Sequence, residues 1–193
     1  MIQDAAGTGD KRDAILRAAL ELISERGFHN TPVSLIASVS GVSAGIIYHY
    51  FDSKDELIQA LYGEVKLDMM RSITLGYSTD LPYRERFDLF WNNSIRHVLS
   101  HPEQAKFLEQ FENSSFVEPT LPNAVMVEVN RIIEFYTDGV ADGVLRDLPV
   151  PVLLSLSTGV AASLLKQHVA GALVLDEDLS AVAVDACWDA ISA

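Results

Sequence analysis

Residues 43–54 read SAGIIYHYFDSK. Within this stretch Ser43, Tyr48, Tyr50 and Ser53 carry hydroxyls, His49 an imidazole and Lys54 an amine. None of these groups forms an acid–base pair or an activated nucleophile. They are hydrogen-bond donors of the kind that touch phosphate oxygens and base edges. Ile46, Ile47 and Phe51 are interleaved with them, and no charged side chain occurs before Asp52. So much apolar surface on so short a segment must be divided between a core and something outside it.

Other reactive groups are sparse. His97 and His101 are four residues apart, with Glu103 close by, and such a pair on one helix can hold a metal. Pro102 disfavours helical geometry at the residue before it, so the pair is expected to straddle a helix end as surface residues. His168, on an apolar helix, reads as a core or interface histidine. The acids at 176–178 read as the first turn of a final helix, where negative charge is favoured. No glycine loop able to cradle a phosphate, no nucleophile elbow and no Cys–His signature is found. The residues therefore imply no catalytic site, no metal and no cofactor.

The elements that must position residues 43–54 are helical. Apolar residues recur at three and four along nearly the whole chain, and strand alternation is missing. A first helix is expected to be capped by Asp10, to bury Ile15, Ala18, Ala19, Leu22 and Ile23, and to end at Gly27. Thr31 and Pro32 suit an N-cap followed by the first helical residue, opening a short helix with Ile36 and Val39 inward. Gly41 permits a tight turn. Ser43 caps a third helix over 44–51, and Ser53 with Glu56 forms a capping box for a fourth. Longer helices follow, including one read as continuous over 152–175 and a last one over 179–191.

A helix, a tight glycine turn and a second short helix make a helix-turn-helix. Residues 31–62 also resemble the TetR family of transcriptional regulators. The resemblance rests on Thr31, Ile36-Ala37, Gly41-Val42-Ser43, Gly45, Tyr48, Tyr50-Phe51, Lys54 and Leu57, in order and at the family's spacing. It implies that Thr31 and Ser43 meet phosphates at helix starts, that Ala44, Gly45 and Ile46 face base edges, and that Tyr48, His49 and Tyr50 contact phosphates or bases. Lys54 matches a lysine that meets a phosphate, while Val42, Ile47 and Phe51 match core positions. The fold implied is all-α. A three-helix head (1–53) is followed by a larger ligand-binding and dimerisation bundle (54–193), about nine helices in total, dimerising through the last two. The partners implied are a palindromic double-stranded operator, a second copy of the chain and a small apolar or amphipathic effector.

Charge runs against a general nucleic-acid binder. The 193 residues carry 14 Lys+Arg against 27 Asp+Glu, a net charge of −13, where a basic footprint is the usual sign. Residues 1–62 hold five cations and eight acids, and the recognition helix has neither Arg nor Lys. The bidentate arginine contact to guanine is therefore closed to that helix. Readout by thymine methyls against Ala44 or Ile46, and by DNA shape, is expected instead. The same acidity makes a second reading available: a helical small-molecule-binding or scaffold protein whose helix-turn-helix does not engage DNA.

In the C-terminal bundle, the final helices are rich in small and aliphatic residues and must be buried on more than one side. Central helices mix aromatic and polar groups on inward faces, and Met126 and Ile133 are also expected inward. Trp91, Phe111, Met126 and Tyr136 are the candidate effector-lining residues. No run reaches the ~18 apolar residues of a membrane span, and no secretory h-region is seen. A lone cysteine, Cys187, fits a reducing, cytoplasmic setting.

Overall fold

A computed structural model describes residues 4–114, 116 and 121–193, with side chains from residue 10 onward. Among the described residues ten helices occur in order: α1 Asp4–Arg26, α2 Val33–Ser40, α3 Ala44–Tyr50, α4 Lys54–Ile73, α5 Tyr83–Ser100, α6 Pro102–Glu112, α7 Asn123–Ala141, α8 Val150–Leu156, α9 Thr158–Val169 and α10 Glu177–Ile191. No strand is found among them, and one isolated bridge pairs Leu145 with Ser192. The helix α1 runs through Asp10, which is therefore an interior residue and not a cap.

The chain packs as two compact units. The first comprises Met1–Lys66 and His101–Leu121. The expected stripe of α1 is its core: Ile15, Ala18, Ala19, Leu22 and Ile23 are each buried, together with Ile36, Val42, Ile47, Phe51 and Leu57. Val39 departs from expectation. It points outward at 47% exposure, because an eight-residue helix with Ile36 at its buried centre has room for little more than one inward position.

Helix α6 follows α5 directly in sequence yet belongs to this first unit, where it lies along α1. Phe28 sets its ring edge-on to Phe107, Phe111 and Phe116, at 6.0, 6.4 and 5.0 Å between centroids. Tyr62 stacks on Phe111 at 4.0 Å. Offset and edge-to-face rings of this kind add to plain burial.

The second unit comprises Leu67–Ser100 and Pro122–Ala193. Its core gathers Phe87, Phe90, Trp91, Phe135, Tyr136 and Leu153 from three helices, α5, α7 and α8. The end of α4 is fastened inside this unit. Asn93 donates to the Ile73 and Leu75 carbonyls at 3.1 and 2.9 Å, and its own oxygen accepts from Arg96 at 3.0 Å. Thr74 donates to Glu128 at 2.7 Å. Carbonyls that a helix end leaves over are thus given partners by side chains. Arg146 does the same for α10, donating to the Asp189 and Ser192 carbonyls.

The helix read as continuous over 152–175 is divided. It starts at Val150, breaks at Ser157 and stops at Val169. Ser157 is fully buried and donates to the Leu153 carbonyl. The Tyr136 hydroxyl reaches it at 2.7 Å. With its single proton spent on Leu153, Ser157 accepts from Tyr136.

Candidate nucleic-acid interface

Helices α2 and α3 meet at 104°, within the range of a helix-turn-helix. Gly41 makes the turn with φ 69 and ψ 14, a left-handed conformation that costs glycine nothing. Val42 follows as a buried anchor. Ile47 and Phe51 then fix α3 from beneath at 1% and 3% exposure.

What remains of α3 faces away from the core. Tyr48, His49 and Gly45 are exposed, while Ala44, Ile46 and Tyr50 are half-buried. A Cβ built on Gly45 would meet nothing within 4 Å, so the backbone is bare there. His49 and Tyr50 set their rings edge to face at 5.8 Å. The result is a helix face with hydroxyl, imidazole and methyl groups and no formal positive charge from Lys or Arg.

Ser43 is the N-cap residue of α3, but its side chain makes no capping hydrogen bond. Its carbonyl accepts the Ile46 and Ile47 amides at 2.9 and 3.0 Å, which starts the helix without the hydroxyl. That hydroxyl lies at the exposed start of α3, the place where a phosphate is best received. At α4, Ser53 accepts from the Glu56 amide at 3.1 Å, and Glu56 reaches back to the Asp52 amide. The capping box is thus closed one residue earlier than its usual form.

Thr31 is corrected by the structure. Pro32, not Thr31, is the residue before α2. Thr31 is fully buried, and its hydroxyl donates to the Gly27 and Leu22 carbonyls at 2.9 and 3.4 Å. A side chain turned back onto α1 has no hydroxyl to offer a phosphate. Thr31 closes the end of α1 and supports the interface from behind.

Lys54 is also held inward. It is half-buried, and its Nζ donates to the Phe28 carbonyl. Burial lowers its pKa, against the nearby Asp55 carboxylate, which raises it. Two other cations of this unit are engaged. Arg12 pairs with Glu64 and sits 5.6 Å from the Phe51 ring centroid, and Lys66 pairs with Glu112 at 2.9 Å.

The four effector candidates do not all belong to one packing unit. Trp91 is buried in the second unit and donates to Ser180 at 3.1 Å. Tyr136 is buried there too, its hydroxyl on Ser157, and burial pushes its pKa up to about 12. Phe111 belongs to the first unit's aromatic cluster. Met126 is 40% exposed on α7, and Ile133, also expected inward, is 38% exposed. The polar ends of Trp91 and Tyr136 are already bonded within the bundle. Among the histidines, His97 is buried and not a surface residue, while His101 stands before α6. No cluster of three metal-ligating side chains occurs among the described residues.

Two family profiles match the chain, one over the head and one over the remainder. A family profile described as "Bacterial regulatory proteins, tetR family" matches residues 15–61. A second, "Tetracyclin repressor-like, C-terminal domain", matches residues 82–192. The transcriptional regulator UidR of Escherichia coli (strain K12) is 46% identical over 50 residues, only 26% of each chain. First-ranking curated relatives are therefore covered over about a quarter of their length. The transcriptional repressor KstR2 of Mycolicibacterium smegmatis is 28% identical over 155 residues, 74% of this chain and 72% of that one. A solved structure of a putative TetR-family regulator from Vibrio parahaemolyticus superposes with TM-score 0.79 at 28% identity, over 95% of this chain and 99% of the other.

Proposed function

The chain belongs to the TetR family of DNA-binding regulatory proteins, and we propose that it works as a homodimeric repressor released from a palindromic operator by a small apolar or amphipathic effector. The observation that carries the DNA side is the exposed, uncharged face of α3, set at 104° to α2 on a buried base. Ser43, Ala44, Gly45, Ile46, Tyr48, His49 and Tyr50 form this contact surface. Lys54 joins it with one N–H of its amine on the Phe28 carbonyl and the others open to a phosphate. Residues 1–53 read DNA; residues 54–193 pair the subunits and take the effector, with Trp91, Met126 and Tyr136 of the second unit as its candidate lining.

The dimer reading is supported by α8, α9 and α10. Val152, Leu156 and Val160 are spaced by four and are 41%, 37% and 36% exposed, and Val182 on α10 is 66% exposed. Taken together, Val150–Val169 is long and apolar enough to cross a membrane, and only 22% of it is buried within the chain. Ser157, Lys166, Gln167 and His168 within that stretch suit a second protein surface better than lipid. A partner copy would cover the stripe and give the two-fold symmetry that a palindrome requires. We place the protein in the cytoplasm and give it no enzymatic step.

Two measurements test this together. Sedimentation should give a dimer, and a duplex selected by the protein from random-sequence DNA should contain two inverted half-sites. A monomer, or a selection that enriches nothing, contradicts the proposal. The second outcome would favour the scaffold reading, which rests on the acidic head.

A further inference from the structure

The end of α1 is unusual in how many elements meet on it. Its leftover carbonyls are shared out almost completely. Ile23 accepts from the Gly27 amide at 2.8 Å, Gly27 and Leu22 from Thr31, and Arg26 from Asn30 at 3.0 Å. The last two go to distant parts of the chain. The Ser24 carbonyl accepts from Gln110 of α6 at 3.3 Å, and the Phe28 carbonyl accepts from Lys54 at the start of α4. Gly27, with φ 77, is the left-handed residue that lets the chain turn so that the Phe28 carbonyl and ring point to these partners.

Phe28 therefore has two connections. Its carbonyl holds the one lysine that the contact surface possesses. Its ring is wedged among Phe107, Phe111 and Phe116 on and beyond α6. We infer that Phe28 is a positioning residue for DNA binding, a relay through which helix α6 sets where the Lys54 amine stands relative to a phosphate. The inference rests on the reading of Lys54 as a phosphate contact. With α6 seated, the Phe28 carbonyl fixes the amine at one point beside the start of α4. When α6 shifts or its rings are lost, that anchor moves and the amine loses its preset position. The lowered Lys54 pKa has the same origin, since it reflects how far the amine is drawn in. Phe28 is not among the residues assigned to the contact surface, so a direct contact and a relayed one are separable by experiment.

The experiment is a double-mutant cycle on the full-length protein with its selected duplex, using Lys54→Met and Phe28→Leu. Phe28→Leu keeps the backbone carbonyl and removes the ring contacts. Lys54→Met alone should weaken binding and make the log K versus log salt slope shallower by about 0.9 per protomer. Phe28→Leu alone should weaken binding about fivefold or more and shift the slope in the same direction, and it should add little once Lys54 is gone. Thermal unfolding of each variant checks that the head is folded. If Phe28→Leu unfolds it, Gln110→Ala, which removes a hydrogen bond from α6 to the end of α1, enters the cycle instead. Additive losses, or an unchanged slope in the ring variant, overturn the relay while leaving Lys54 as a contact. No effect of Lys54→Met on a protein that does bind its duplex overturns the reading of Lys54 beneath it.

Discussion

The Tyr136 hydroxyl lies 2.7 Å from the Ser157 hydroxyl, at the residue where α8 gives way to α9. Both side chains are fully buried. One hydrogen bond thus joins α7 to the break in the apolar helix that carries the stripe proposed for pairing. Tyr136→Phe removes it and should cost about 1 kcal/mol, read as a lower urea midpoint at unchanged slope.

The same tyrosine gives the protein an alkaline limit. The folded state holds the Tyr136 proton up to about pH 12, whereas an unfolded chain releases it near pH 10. Between these values the folded state binds more protons, so stability is fully present below pH 10 and falls as pH rises toward 12. Burial of the Cys187 thiol acts in the same direction. Urea unfolding from pH 9 upward should show this loss, and Tyr136→Phe should flatten it between pH 10 and about 12.

Asn93 should be among the costlier residues to lose. Its amide serves the Ile73 and Leu75 carbonyls and accepts from Arg96. Asn93→Ala leaves carbonyls at the end of α4 without donors, a loss of about 2–3 kcal/mol. Chemical denaturation checks it, and a loss under about 0.5 kcal/mol would mean that solvent replaces the amide freely.

Two glycines should respond in opposite ways to alanine. At Gly139 a Cβ would stand 2.7 Å from Leu145 Cδ1 and 3.2 Å from Tyr83. Gly139→Ala should destabilise by about 1–2 kcal/mol, because overpacking outweighs the gain in helix propensity. At Gly45 the Cβ has open space, and Gly45→Ala should stabilise by up to about 1 kcal/mol. If DNA approaches the bare backbone there, the same variant binds its duplex more weakly while melting higher. A variant that melts higher and binds as wild type would remove Gly45 from the surface.

Much of this was legible in the residues. The stripe from Ile15 to Ile23 and the anchors Ile36, Ile47 and Phe51 repeat with helical period, and Gly41 is the residue type that its positive φ asks for. What escaped depends on contacts between segments far apart in the chain. Thr31 has the composition of a cap but spends its hydroxyl on α1. Ser157 sits among residues that could all continue a helix, and its contact with Tyr136, 21 residues earlier, leaves no mark in the sequence around it. Helix α6 is next to α5 in sequence, while Phe28 and Ser24 are its neighbours in space. Phe28 itself carried no signal as a lone aromatic after Gly27.

The proposed DNA binding falls to an acidic head with no Arg or Lys on its recognition helix. Its most direct test is the affinity of the selected duplex between about 50 and 200 mM salt, with Tyr48→Ala as the comparison. The expected result is specific binding with a log K versus log salt slope shallower than about −8, and weaker binding by a Tyr48→Ala protein that remains folded. Failure to retain any duplex at about 50 mM salt, where phosphate contacts are strongest, would contradict the account.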